Sequence, residues 1–185
     1  DIGEIVAYDE SIQKFQCLEG SAYYVCHSIV LMSDKSPRYV PASYVTFNFY
    51  TTAQQIAENT KLKMCENNIE REFSRDTEVD KINFLLENVP AGSILLIDGP
   101  LIAGDYYTYM IDEISKFIEN GITPVFFVKN SSSNLVIENI PELRAKYNSD
   151  LHWAFEELEE GERTSFFRFT DLHAPKNSKI FCYLK

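Results

Sequence analysis

The pattern of hydrophobic and polar positions predicts three strands at the start of the chain. Residues 4–9, 21–32 and 44–49 are rich in β-branched and aromatic side chains, which is typical of strands. The segment between the first two runs ends in Glu19-Gly20 and is predicted to connect antiparallel strands. Three successive strands of this kind predict an antiparallel meander.

The middle of the chain alternates between helical and strand-like patterns. Residues 51–73 are polar with a weakly periodic apolar side and are predicted to be mostly helical. Asp76 is suited to cap the helix that follows. Residues 93–98 form a continuous apolar run, typical of a strand buried on both faces. A further helix is predicted to end at Gly121, and a second buried strand follows at residues 123–129.

The last third of the chain predicts a smaller appendage, with short helices around residues 142–147 and 150–159 and a strand pair at 164–170 and 179–183. Strands that alternate with helices pair in parallel, so the predicted sheet is mixed. An antiparallel three-strand meander plus parallel strands, flanked by helices, is the α/β arrangement of ribonuclease-H-like folds. A doubly wound nucleotide-binding fold is disfavoured, because no glycine-rich loop follows the first strand.

Length and composition indicate one domain over residues 1–185, which we expect to have been cut from a longer chain at both ends. No apolar run approaches the roughly 18 to 20 residues that span a membrane. The four cysteines lack paired or zinc-finger spacing, so we expect free thiols and a cytoplasmic location. The net charge of −11 argues against a broad basic face for nucleic acid. It leaves open a carboxylate site that holds a divalent metal.

Two aspartates, Asp9 and Asp98, are each predicted to end a strand of the buried type. If those strands are adjacent and parallel, both carboxylates lie beyond their carboxyl ends, where ligands of open α/β sheets bind. Glu78, in the first turn of the helix predicted to start at Asp76, returns to the same edge, and Lys129 ends its own strand there. We therefore predict a site for Mn²⁺ or Mg²⁺, the ions that oxygen ligands favour and that activate water for phosphodiester cleavage.

Each of these residues also has an interpretation without chemistry. Asp98-Gly99 is a common turn sequence, and Asp9 can simply end a strand. Glu78 can complement the helix dipole, and Lys129 can be solvated. The residues together favour a site, because crowded carboxylates repel one another unless a cation holds them.

Four short blocks resemble motifs of the NurA family of DNA nucleases, in the family's order. VAYDES at residues 6–11 resembles its first motif, hydrophobic residues followed by Asp-Gly-Ser. LLIDGPL at 95–101 is similar to its second, hydrophobic residues followed by Asp-Gly-Ser-Leu, and RDTE at 75–78 resembles the Arg-x-x-Glu helix before it. PVFFVKNSSSNLV at 124–136 resembles the strand-Lys-Ser stretch that comes next.

The resemblance implies a divalent-metal nuclease that trims DNA ends in resection and repair, alongside a HerA-type hexameric ATPase. It implies that Asp9, Glu78 and Asp98 hold the metal and that Lys129 assists at the phosphate. It also implies a homodimer whose central channel receives DNA.

The sequence departs from the family pattern at three points. Glu10 stands in place of the first-motif glycine, and Pro100 in place of the second-motif serine. A Pro-Tyr-Pro stretch that leads to a late histidine is absent, and His173 does not match it. These departures favour an alternative function, a non-catalytic adaptor that binds the ATPase or DNA without cleaving. An RNA-directed enzyme on the same fold is a third, weaker alternative.

Two further features have open interpretations. The tyrosines Tyr106, Tyr107 and Tyr109 fit either base stacking or a surface or dimer contact. His27 lies within a predicted strand and is expected to be a core or sheet histidine rather than a ligand.

Overall fold

The computed structural model describes residues 3–32, 42–53, 63–65, 68–101, 107–170, 172 and 178–185. The chain separates into two compact units, Asp1–Phe127 and Val128–Lys185. In the described part of the chain, no helix is long and apolar enough to cross a membrane.

The first unit is built on a mixed sheet. Its strands are β1 (Ile5–Cys17), β2 (Gly20–Met32), β3 (Ala42–Thr51), β4 (Lys63–Met64), β5 (Ile94–Asp98) and β6 (Thr123–Phe127), and its helices are α1 (Ile69–Asn88) and α2 (Tyr107–Glu119). The sheet order is β4-β3-β2-β1-β5-β6. β1, β2 and β3 pair antiparallel, whereas β5 pairs in parallel with both β1 and β6. The prediction of a three-strand meander joined to parallel strands is confirmed.

Side-chain alternation along the strands decides which face of the sheet is covered. Val6 and Tyr8 of β1 and Leu95 and Ile97 of β5 are buried, in one cluster with apolar residues of α1 and with Phe117 of α2. Burying each large apolar side chain contributes about 1.5–3 kcal/mol, which holds the helices on this face. The alternate positions of the same strands point to the opposite face and are only half-buried or exposed.

β1 is much longer than its sequence predicts. It pairs with β2 over thirteen residues, from Ile5 opposite Met32 to Cys17 opposite Gly20. The prediction that Asp9 ends this strand and that a connection follows is therefore wrong. Residues 11–17 are polar or exposed on both faces, so their sequence lacks the alternation of a half-buried strand. Hydrogen bonding to β2 imposes the extended conformation there.

α1 begins seven residues earlier than predicted. Its N-cap is Asn68, whose side chain accepts a hydrogen bond from the Arg71 backbone N–H at 3.1 Å. Asp76 lies inside the helix, where its carboxylate accepts hydrogen bonds from the Tyr50 hydroxyl at 2.9 Å and the Lys63 ammonium at 2.7 Å. The predicted start at Asp76 is wrong. Of the segment predicted to be mostly helical, 69–73 is helical, β4 is a strand, and 54–62 and 66–67 lie outside the described residues.

The second unit contains α3 (Pro141–Arg144), α4 (Asp150–Glu157), β7 (Phe167–Thr170) and β8 (Ser178–Phe181). The predicted pair of short helices and the predicted late strand pair are confirmed, with β7 and β8 antiparallel. Asp150 is fully buried and accepts hydrogen bonds from four groups, the Ser133 and Tyr183 hydroxyls and the backbone N–H groups of Val136 and Ile137. This carboxylate ties the loop before α3 to α4 and to the end of the chain.

Candidate functional site

Asp9 and Asp98 occupy matching positions on neighbouring parallel strands. The ladder between β1 and β5 runs from Ile5 opposite Ile94 to Tyr8 opposite Ile97, so the next position along it brings Asp9 beside Asp98. Both side chains are exposed and follow the alternation to the face opposite α1. Adjacent strands are about 4.8 Å apart, a spacing that two carboxylates bridging one cation can use. The prediction that these strands are adjacent and parallel is confirmed.

Glu78 approaches from the other side of the sheet. It is the tenth residue of α1 and therefore does not lie in the first turn. Its Oε1 accepts a hydrogen bond from the Lys81 ammonium at 2.6 Å, which makes the two side chains an ion pair. The other oxygen, Oε2, is buried without a hydrogen-bond partner among the described residues. A buried carboxylate oxygen without a donor is costly, so this atom is a candidate ligand position for a cation.

Glu10 is acidic and lies on the face of the sheet that packs against α1. Its Oε2 accepts a 2.9 Å hydrogen bond from the Tyr8 hydroxyl, and Tyr8 is itself almost fully buried. Burial raises the pKa of Tyr8 far above its ordinary value, and the charges of Glu10, Glu78 and Asp9 raise it further. Carboxylates from both faces of the sheet are therefore electrostatic neighbours of one tyrosine.

His27, on β2, contacts the same Tyr8 hydroxyl that binds Glu10. Its Nδ1 lies 2.7 Å from the Tyr8 hydroxyl, whose single proton goes to Glu10, so the contact requires an N–H at Nδ1. Burial lowers the pKa of His27 below its ordinary value, although Glu10 and Asp80 oppose the shift. The predicted core histidine is confirmed, since the side chain is fully buried and stacks on Tyr8.

β1 extends further than β5 at the site. β5 ends at Asp98, whereas β1 continues to Cys17. Among the described residues, the ladder between the two strands therefore does not follow β1 to its end.

The other predicted residues lie elsewhere or outside the described part. Lys129 is exposed, two residues beyond β6, in the second unit. Tyr106, His173 and the side chains of Tyr107 and Tyr109 lie outside the described residues.

A separate polar cavity of about 340 Å³ lies near β4 and is lined by Tyr50, Lys63, Cys65, Glu72, Arg75 and Asp76. Its two cations are paired with its two carboxylates: Lys63 with Asp76 at 2.7 Å, and Arg75 with Glu72 at 2.6 Å. Burial raises the pKa of the Cys65 thiol, which disfavours the reactive thiolate. The cavity thus lacks a surplus of either charge and is not part of the carboxylate site.

The donor chemistry of Asp9, Asp98 and Glu78 suits a hard divalent cation, since all three offer carboxylate oxygens. Among the residues that the structure describes, no three His, Cys, Asp or Glu side chains lie close enough together to hold a metal ion. The aspartate pair is brought together by the parallel register, while Glu78 and Glu10 belong to the α1 face.

The sequence places Glu10 near the site as a further acid in place of the motif glycine, but it did not predict that Glu10 lies on the α1 face. The alternation of side chains along a strand contains this information, because residues 8 and 10 must share one face of the sheet if residue 9 points to the other face. The alternation predicts the face of Glu10 only if β1 continues past Asp9, and the sequence pattern did not indicate that continuation.

Comparisons with known proteins agree with this architecture. A family model described as the NurA domain matches residues 17–185, which include Glu78, Asp98 and Lys129 but not Asp9. The crystal structure of the NurA nuclease from Sulfolobus solfataricus is similar, with a TM-score of 0.61 and 12% sequence identity, over 96% of this chain and 62% of that chain. At this identity the likeness shows the fold, and this chain spans about 62% of the length of that nuclease.

No curated protein matches the chain. The family model nevertheless extends over both compact units and most of the sequence. The chain therefore belongs to the NurA domain family.

Proposed function

We propose that this chain is the core of a divalent-metal-dependent nuclease that cleaves DNA, in a single NurA-like domain over residues 1–185. The observation that carries the proposal is the matched position of Asp9 and Asp98 on adjacent parallel strands, on one face of the sheet. Membership of the family and the fold shared with a NurA nuclease support the same reaction class.

In this proposal Asp9, Glu78 and Asp98 hold Mn²⁺ or Mg²⁺. When bound, such an ion supplies a water of lowered pKa and neutralises charge on the scissile phosphate. Asp9 and Asp98 would hold the ion from one face of the sheet, and Glu78 would contribute its Oε2, which has no hydrogen-bond partner among the described residues. Lys129 is the proposed cation for the phosphate, since an ammonium stabilises the negative charge that develops there.

The substitution Asp98→Asn tests the metal site. It keeps the size of the side chain and much of its hydrogen bonding but removes one carboxylate charge. We expect it to abolish Mn²⁺-dependent degradation of DNA by the full-length protein, with little loss of stability, because repulsion between empty carboxylates is relieved. The measurement is loss of a labelled DNA substrate over time, with thermal unfolding recorded in parallel.

A matched control is Asp112→Asn, which removes the same charge from an exposed position of α2. We expect this variant to cleave DNA as the unmodified protein does. If Asp98 only forms the turn with Gly99, Asn-Gly serves equally well and Asp98→Asn retains activity. That result would refute the proposed metal site.

A second candidate function is a non-catalytic adaptor that binds a HerA-type ATPase or DNA. It is favoured by Glu10, which stands where the family motif has glycine and is held on the α1 face by Tyr8. Titration calorimetry with Mn²⁺ separates the two functions. A nuclease core binds the ion at one site that Asp98→Asn removes, whereas an adaptor shows no site-specific binding.

The partners remain part of the proposal. We infer a HerA-type hexameric ATPase and a homodimer from the family, and a role in DNA end resection and repair in the cytoplasm follows from those partners. Co-purification with such an ATPase from a host that expresses both proteins tests the partnership.

A further inference from the structure

Lys81 is a buried cation of α1 that lies three residues beyond Glu78 and pairs with it. Its side chain is only 13% exposed, whereas those of Lys14, Lys63 and Lys116, which also pair with carboxylates, are 40%, 49% and 52% exposed. Ion pairs between exposed side chains contribute little to stability, but a buried ammonium is costly unless a carboxylate neutralises it. The pair with Glu78 is therefore a fixed feature of α1 rather than a loose surface contact.

The ion pair uses only one of the two carboxylate oxygens of Glu78. The Lys81 Nζ lies 2.6 Å from Oε1, whereas Oε2 is buried and has no hydrogen-bond partner among the described residues. A carboxylate oxygen can bind a hard divalent cation, but a positive charge beside the same carboxylate repels that cation. The ammonium and a divalent cation therefore compete for Glu78, even though each would contact a different oxygen.

The charge of Lys81 acts within the interface between α1 and the sheet. Burial lowers the pKa of His27, and the charge of Lys81 lowers it further, so the ammonium acts on a buried side chain of β2. Burial raises the pKa of Tyr8, and the charges of Glu10 and Glu78 raise it further. Two carboxylates thus act on the same buried hydroxyl, and Lys81 offsets part of their negative charge.

We propose that Lys81 is an internal counter-ion that sets how tightly Glu78 binds a divalent cation. The ammonium neutralises Glu78 and holds its carboxylate through Oε1, which stabilises α1 when no ion is bound. The same charge lowers the affinity of Oε2 for a divalent cation. Lys81 is a positioning residue in this proposal, because it acts through Glu78. The inference rests on the proposed function, in which Glu78 is a metal ligand.

Titration calorimetry of the full-length protein with Mn²⁺ tests this role. We expect Lys81→Met to bind Mn²⁺ at least about tenfold more tightly than the unmodified protein, because the repelling charge is removed. Lys81→Gln can still donate a hydrogen bond to Oε1 but has no charge, and it should show the same gain. This variant also tests the proposal if Lys81→Met does not fold. Lys81→Arg retains the charge and should bind as the unmodified protein does.

Lys116→Met is the matched control, because Lys116 forms an ion pair of the same spacing and length with Glu113 on α2. We expect its affinity for Mn²⁺ to be unchanged. Adding Lys81→Met to Glu78→Gln should give no gain, since the carboxylate for which the two cations compete is removed. An equal gain in Lys116→Met or in the Glu78→Gln background would indicate a general charge effect and overturn the proposal. Unchanged or weaker binding by Lys81→Met and Lys81→Gln would overturn it as well.

Thermal unfolding gives a readout that does not depend on calorimetry. In EDTA, Lys81→Met should unfold at a lower temperature than the unmodified protein, because Glu78 loses its counter-ion. Adding Mn²⁺ should raise the unfolding temperature of Lys81→Met more than that of the unmodified protein, because tighter binding stabilises the folded state more. Equal shifts in the two proteins would contradict the proposal.

The outcome for Lys81 is separable from that for the nuclease. Mn²⁺ binding and cleavage that Asp98→Asn abolishes, together with unchanged affinity in Lys81→Met, would refute the counter-ion and leave the nuclease. No binding by the unmodified protein, together with binding by Lys81→Met that requires Glu78, would refute the nuclease and leave the counter-ion. No binding of Mn²⁺ by either protein would refute both.

Discussion

At the scale of single residues, the site depends on which side of β1 each carboxylate takes. Asp9 and Asp98 fall on one face because their strands share a parallel register. Glu10 and Glu78 lie on the other face, where the charges of both carboxylates raise the pKa of Tyr8. A one-residue change of register would exchange the two sets, so the register of β1 is part of the chemistry.

His27 makes stability depend on pH in a predictable direction. Burial holds its folded-state pKa below the ordinary value of 6.5, so the unfolded chain binds a proton that the folded chain refuses. The contribution is fully present above about pH 6.5 and is lost as the pH falls from there towards the folded-state pKa. We expect the free energy of unfolding to decrease through this window in urea titrations.

The variant His27→Gln removes the titration and keeps an amide that can donate to Tyr8. Its free energy of unfolding should change less with pH between about 6.5 and 5 than that of the unmodified protein. His152→Gln replaces an exposed histidine and serves as the comparison. A pH dependence that persists unchanged in His27→Gln would contradict the assignment to His27.

At the scale of elements, local capping decides where α1 begins. Asn68 supplies the cap, and Asp76 lies within the helix, where Tyr50 and Lys63 bind its carboxylate. Asp76 has the residue type of a cap, but its partners on β3 and β4 are distant in sequence. Sequence alone could not distinguish an aspartate that caps a helix from one that binds side chains of neighbouring strands.

Replacing Asn68 by alanine should destabilise the first unit by about 1 kcal/mol, because the Arg71 backbone N–H loses its acceptor. Asn68→Asp or Asn68→Ser should restore most of that loss, since either side chain can cap. Urea unfolding followed by circular dichroism measures the difference. If Asn68→Ala unfolds at the same urea concentration as the unmodified protein, the capping bond carries no stability.

At the scale of the whole molecule, the second unit depends on one carboxylate. Asp150 is fully buried and accepts hydrogen bonds from two backbone N–H groups and two hydroxyls. We expect Asp150→Ala to cost about 2–4 kcal/mol, because four donors, two of them buried backbone N–H groups, lose their acceptor together. Tyr183→Phe removes one of them and should cost about 1 kcal/mol. Thermal unfolding of both variants measures the ratio.

The assembly prediction concerns the same scale. We expect a homodimer at micromolar concentration, from membership of the family. Sedimentation velocity over a tenfold range of concentration measures it. A single monomeric species throughout that range would count against the dimer.

The strongest local patterns of the sequence were sufficient to predict most of the fold. The continuous apolar runs predict β5 and β6, Gly121 with its positive φ of 72° ends α2 as expected, and the strand-helix alternation predicts parallel pairing. These features depend on neighbours within a few residues, so one sequence contains them. The parallel adjacency of the strands that carry Asp9 and Asp98 followed from the same reasoning.

Tertiary structure alone decided the features that depend on distant partners. β1 runs on to Cys17 because β2 pairs with it, although its own residues are polar. Asp76 lies within α1 rather than at its cap, and its carboxylate binds Tyr50 of β3 and Lys63 of β4. The face on which Glu10 lies follows from the continuation of β1 past Asp9. In each case hydrogen bonds and packing between residues far apart in the chain outweigh local preference.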